Sequence, residues 1–134
     1  MKENADLVRG WLRKSRSDAL AMRASLEAGA LDAACFHAQQ AVEKCLKAYL
    51  IHVGVEFPFT HNLTRLVELA SQEDRCFGEL AARVEPLTPY AVELRYDEGF
   101  WPSQEDARRA ANTAESVMDF VIERLPQEMG EEHT

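Results

Sequence analysis

The residues best suited to chemistry stand together in one run, Phe36-His37-Ala38-Gln39-Gln40-Ala41-Val42-Glu43-Lys44-Cys45-Leu46-Lys47. At about 100° per residue of an α-helix, Gln39, Gln40, Glu43 and Lys47 fall within an arc of roughly 100°, with Phe36 and Leu50 in the same arc. On the other side Ala38, Val42, Cys45, Leu46, Tyr49 and Val53 form an apolar face for a core. Two amides, an acid and an amine flanked by large apolar side chains read as a partly covered polar groove. The plainer alternative is that Glu43 and Lys47 form an i,i+4 pair worth a few tenths of a kcal/mol, with both glutamines solvated.

Other chemistries lack their residues. A di-iron bundle needs Glu-x-x-His pairs on two helices, and the sequence has none. There is no Gly-rich phosphate loop, no Ser nucleophile elbow and no pair of catalytic carboxylates. No metal site and no cofactor is therefore expected, and catalysis by this chain alone is not what the pattern points to. A net charge of −8 argues against tracking an extended nucleic acid, which requires clustered Lys and Arg. Arg9, Arg13, Lys14, Arg16 and Arg23 alternate with Asp6, Asp18 and Glu27, as on a solvated helix face. The cysteines, Cys35, Cys45 and Cys76, are odd in number and have no CxxC spacing, so a reducing cytoplasm fits better than a disulfide framework. No signal-like start is present, and no apolar run approaches the roughly 18 residues that span a bilayer.

The elements that must position the polar stripe are helical. At 134 residues, 46% hydrophobic and 28% charged, the chain has the size and composition of one globular domain. Leu7, Val8, Trp11, Leu12, Ala19, Leu20, Met22 and Leu26 recur with helical spacing over residues 5–28, and Gly29 ends that helix. The second helix begins near Leu31 or Asp32 and runs to about Val53, stopped by Gly54 and by Phe57-Pro58-Phe59. Thr60 or Asn62 is placed to cap a shorter helix reaching about Ala70, with Leu63, Leu66 and Val67 on one face. A further helical region over residues 77–96 must be kinked or split by Pro86 and Pro89, each of which lacks a backbone donor. Ser103 with Asp106 opens a last long helix that ends by Leu125, before Pro126. The expected architecture is an all-α, antiparallel up-and-down bundle of about five helices with a long N-terminal helical hairpin. It occupies residues 1–126, and residues 127–134 form an acidic, frayed tail.

The run over residues 36–48, followed by Phe57-Pro58, Thr60-His61-Asn62-Leu63 and Arg95-Tyr96, resembles the HEPN domain. The resemblance extends over most of the chain, from Trp11 and Leu12 to the last helix. It implies a helical bundle, commonly a homodimer, in small bacterial and archaeal proteins. Many members are encoded beside a minimal nucleotidyltransferase and act with it in toxin–antitoxin or nucleotide-related systems. Some are metal-independent ribonucleases that use an Arg, four to six intervening residues and a His. Here Arg95 is followed by Tyr96-Asp97-Glu98-Gly99-Phe100-Trp101-Pro102, so that His is missing. The resemblance then implies the branch that binds nucleotide or a partner transferase.

On that footing the matched residues have assignable tasks. Arg95 suits a phosphate, and Lys44 or Lys47 can add a point charge. Gln40 can meet a base or sugar edge, and Tyr96 or Phe36 can offer a stacking ring. His61 can donate to phosphate or merely cap its helix. Glu43 lines the same groove, either facing a ligand or paired with Arg95 across the bundle. His37 reads as solvated or dimer-facing. Two other functions remain open: a purely structural interaction module anchored by Trp11, Phe100 and Trp101, and a ribonuclease built on His61 with Arg95.

Overall fold

The computed structural model describes residues 2–130, excluding the side chains of residues 2, 3, 95, 96 and 130. Among the described residues there is no strand. Helix α1 (Lys2–Ala28) and helix α2 (Leu31–His52) form the long hairpin. Gly29, at φ 81°, makes the turn. Its N–H reaches the Leu26 carbonyl at 3.2 Å and the Ala30 N–H reaches that of Ser25 at 2.9 Å, the paired bonds of a Schellman motif. The same device ends α2, where Gly54 has φ 74° and Val55 N–H bonds the Leu50 carbonyl at 2.9 Å. Both glycines occupy the left-handed region that a side chain resists.

Helix α3 (Leu63–Ser71) starts on Asn62, whose side chain accepts from the Arg65 N–H at 3.2 Å. The next stretch is split as its prolines require. A 3-10 turn (Arg75–Leu80), a single helical turn α4 (Ala81–Val84), a second 3-10 stretch (Glu85–Ala91) and the short α5 (Glu93–Tyr96) follow one another. Helix α6 (Gln104–Ile122) opens with a complete capping box: the Ser103 hydroxyl accepts from Asp106 N–H and the Asp106 carboxylate accepts from Ser103 N–H, both at 3.0 Å. A final turn, α7 (Gln127–Gly130), sets Met129 against the core.

Helix α2 is the central element, packed on α1, α3, α6 and the Glu85–Ala91 stretch. Small side chains permit the close approach: Ala34, Ala38, Ala41 and Ala48 on α2, and Ala107, Ala110, Ala111 and Ala114 on α6, are all buried. Phe77 fills the far end of the core, its ring 4.4 Å from that of Tyr49 and 5.1 Å from that of Phe120. Among the described residues no helix is long and apolar enough to cross a membrane.

The α1 face expected to be solvated is solvated only in part. Asp18 is buried and accepts from Lys44 Nζ at 2.6 Å and from His37 Nδ1 at 2.8 Å, so it ties α1 to α2. A carboxylate removed from water requires such partners, and both stand on the facing helix.

Candidate functional site

Because neighbours surround α2, its polar stripe lies inside the bundle wall and not along an open groove. Gln39, Glu43 and Lys47 are 0%, 4% and 6% exposed. Leu50, in the same arc, is buried too. Residues 53–62 fold back over this side of α2, bringing Phe57, Phe59 and His61 to it, while α1 supplies Trp11.

Glu43 is the hub. Its Oε2 accepts from Lys47 Nζ at 2.9 Å, and its Oε1 accepts from Gln39 Nε2 at 2.9 Å and from His61 Nδ1 at 2.8 Å. Gln39 Nε2 also donates to the His61 carbonyl at 3.2 Å, and Gln39 Oε1 accepts from Gln40 Nε2 at 2.7 Å. Among the described residues no buried side-chain polar atom lacks a partner. Burial alone would push the Glu43 carboxyl up. The hydrogen bonds from Gln39, Lys47 and His61 and the charge of Lys47 outweigh it, holding the group below the ordinary carboxylate range. Lys47 has a second set of neighbours, the rings of Trp11, Phe57 and Phe59, at 5.7, 5.7 and 5.9 Å from Nζ to the ring centroids.

The network opens to solvent at His61, whose side chain is 47% exposed. An ionised carboxylate only accepts, so the neutral imidazole must carry its proton on Nδ1, the atom facing Glu43. Nε2 is then the lone-pair atom, and it has no partner among the described residues. Beside it stands Phe59, 96% exposed, its ring centroid 6.1 Å from that of His61. Gln40 is half-buried next in the chain of bonds, and its carbonyl oxygen has no partner among the described residues. The surface thus offers an oriented imidazole, a bare aromatic face and an amide, a set that can bind a flat polar ligand by stacking and hydrogen bonding.

The structure therefore brings Gln40, Glu43, Lys47 and His61 together and leaves Lys44 apart, bound to Asp18 on the α1 side with His37. His37 is not a freely solvated residue, because its Nδ1 is held by that same Asp18. The side chains of Arg95 and Tyr96, and with them the pairing of Arg95 with Glu43, lie outside the described residues; the described partners of Glu43 are Gln39, Lys47 and His61. His61 does not cap α3, since Asn62 does so. Gln39, Trp11, Phe57 and Phe59 belong to the site although the stripe alone did not assign them a task. Gln39 carried a signal by sharing the arc of Glu43 and Lys47, and Trp11 and Phe57 were marked by the family resemblance alone; their rings and that of Phe59 reach the site through tertiary folding.

A family model described as HEPN domain matches residues 8–125. Among solved structures, TT1696 from Thermus thermophilus is similar, with 26% identity, a TM-score of 0.74, and coverage of 88% of this chain and 98% of that one. ST0689, an archaeal HEPN homologue, has 21% identity, a TM-score of 0.69, and coverage of 87% and 96%. The second likeness is one of fold. No curated protein matches the chain.

Proposed function

This chain belongs to the HEPN domain family, and on that premise we propose that it is a nucleotide-binding module acting with a minimal nucleotidyltransferase in a toxin–antitoxin-type system of a prokaryotic cytoplasm. The observation that carries nucleotide binding is the exposed His61–Phe59 surface, with the imidazole fixed by a buried carboxylate. A base stacks on Phe59, while His61 Nε2 and Gln40 meet its edge or the sugar. Lys47 makes no direct contact with the ligand, because Glu43 meets its charge and aromatic rings close in its ammonium. Family membership carries the transferase partner and a homodimer, whose surface would draw on the exposed Leu7, Leu20 and Trp101.

Calorimetric titration with ATP, GTP, CTP and UTP tests the reading. At least one should bind, and Phe59→Ala or His61→Ala should weaken it about fivefold or more, since a stacked base or a hydrogen bond is worth about 1–3 kcal/mol. Absence of binding by all four at millimolar concentration refutes it. Co-expression with the neighbouring reading frame tests the partner: a co-purifying protein with a Gly-Ser motif followed by paired acidic residues supports it.

The Glu43–His61 pair favours a second reading. A carboxylate-oriented imidazole with a free Nε2 is the arrangement of a general base, able to take the proton of an RNA 2′-hydroxyl. Incubation with RNA, with and without chelator, decides it: lack of cleavage at high protein concentration removes the ribonuclease. The purely structural module finds less support. Trp11 stands against Lys47 and Lys14, and the Phe100 ring lies against Tyr90, which leaves Trp101, 65% exposed, as the free anchor of the three.

A further inference from the structure

Along α6 the residues Glu105, Arg108, Arg109, Asn112, Thr113 and Ser116 recur three and four apart and form one surface stripe. Arg83 of α4 leans over the end of that stripe, its Nη2 donating to Ser116 Oγ at 2.7 Å. Together they line an open groove of about 510 Å³. Its charge runs against that of the molecule: three arginines and one glutamate line it, in a chain of net charge −8.

The three arginines differ in what neutralises them. Arg109 Nη2 is held by Glu105 Oε1 at 2.9 Å, and its Nη1 stands 4.0 Å from Asp106. Among the described residues Arg83 is met by a hydroxyl and by no carboxylate, and Arg108 has no ion-pair partner. Two guanidiniums thus keep their full charge toward the groove. Arg108 and Ser116 are separated by about 12 Å of helix rise, so the two charges bracket a ligand longer than a single carboxylate. Between them Thr113 and Asn112 add neutral donors; Asn112 Oδ1 already accepts from Arg23 at 3.2 Å, which leaves its NH₂ group as the amide's donor.

From this we infer that the Arg83–Arg108 groove is a second binding site, separate from His61, that takes the phosphoryl groups of a small phosphorylated ligand. Phosphate oxygens outnumber those of a carboxylate and match a set of guanidinium, hydroxyl and amide donors. A long nucleic acid is disfavoured because Glu105 stands within the stripe and Asp106 and Glu115 lie on the same helix, so α6 offers no extended run of positive charge.

The test uses inorganic tripolyphosphate, which carries no base and so cannot engage the Phe59–His61 surface. Calorimetry at low salt should show binding to the intact protein that weakens as salt is raised. The variant Arg83→Ala/Arg108→Ala, changed at two exposed positions, should lose at least tenfold in affinity. Arg13→Ala, which removes one exposed arginine on α1, should stay within twofold of the unaltered protein. Circular dichroism checks that the double variant is folded, and Arg83→Lys/Arg108→Lys should regain part of the affinity. The inference is overturned if tripolyphosphate does not bind at millimolar concentration, if the double variant binds as the parent does, or if a short single-stranded RNA binds there and tripolyphosphate does not. Phe59→Ala should leave tripolyphosphate binding unchanged, so failure of this site and failure of the nucleoside surface are read separately.

Discussion

Replacing Glu43 by Gln removes one charge from the centre of the polar network and leaves its shape. Lys47 then keeps a buried ammonium, only 7% of its side chain exposed, with no carboxylate to meet it. At the observed 2.9 Å the lost attraction is about 6 kcal/mol gross for an effective dielectric near 20. Breaking a buried pair from one side costs about 3–5 kcal/mol net. Here the three rings around Nζ return about 1 kcal/mol. The expected loss is about 2–4 kcal/mol, a fall of roughly 10 °C in the thermal midpoint. Lys47→Met retains the apolar stem among the rings and leaves Glu43 with Gln39 and His61, so it should cost about 1–2 kcal/mol. The two changes combined should cost less than their sum by about 1 kcal/mol or more.

The pH dependence of the same variant has a definite sign. A carboxyl held below its ordinary value in the fold stabilises the protein above its unfolded pKa, about 4.3, and that contribution is lost as pH falls through the folded value. The gap between the parent and Glu43→Gln should therefore be full at pH 7 and shrink below about pH 4. Asp74, Asp106 and Glu115 are shifted in the same direction, are present in both proteins and cancel in the comparison. Urea unfolding at several pH values measures both effects. A loss under about 0.5 kcal/mol at pH 7, or strict additivity with Lys47→Met, would refute the account of Glu43 as the hub.

Two further outcomes follow from local geometry. Ser103→Ala removes the hydroxyl that accepts from Asp106 N–H and should cost about 1 kcal/mol in urea unfolding, with no change in slope. Of the three thiols only Cys76 is exposed; burial pushes Cys35 up to about 11 and Cys45 up to about 12, so a thiol reagent should modify one cysteine in the native protein and three only after unfolding, and rapid loss of two or more would contradict the packing around α2.

What the sequence made legible was local. Gly29 and Gly54 marked the helix ends because a left-handed residue must follow an α-helix that stops sharply, and Ser103 with Asp106 marked a start because the capping box is written within four residues. Pro86 and Pro89 split their helical region for want of backbone donors. What escaped was whatever depends on apposition across the bundle. A helical projection gives Gln39, Glu43 and Lys47 a common face but cannot distinguish a wetted stripe from a buried network whose members satisfy one another. Lys44 sits one residue beyond Glu43 in the chain, yet its partner Asp18 is 26 residues away on α1, which removes it from the group with which its spacing placed it. The Arg83 groove is of the same kind, since Ser116 stands 33 residues from Arg83.

The central claim is that a buried carboxylate fixes the His61 imidazole and presents its Nε2 to a nucleotide. Long-range ¹⁵N–¹H correlation of the imidazole nitrogens tests it most directly, first on the free protein and then during titration with ATP. The account predicts the Nδ1–H tautomer for neutral His61 in the parent, loss of that preference in Glu43→Gln, and movement of the Nε2 resonance as nucleotide is added. An Nε2–H tautomer in the parent, or imidazole resonances that stay fixed while nucleotide binds, would contradict it.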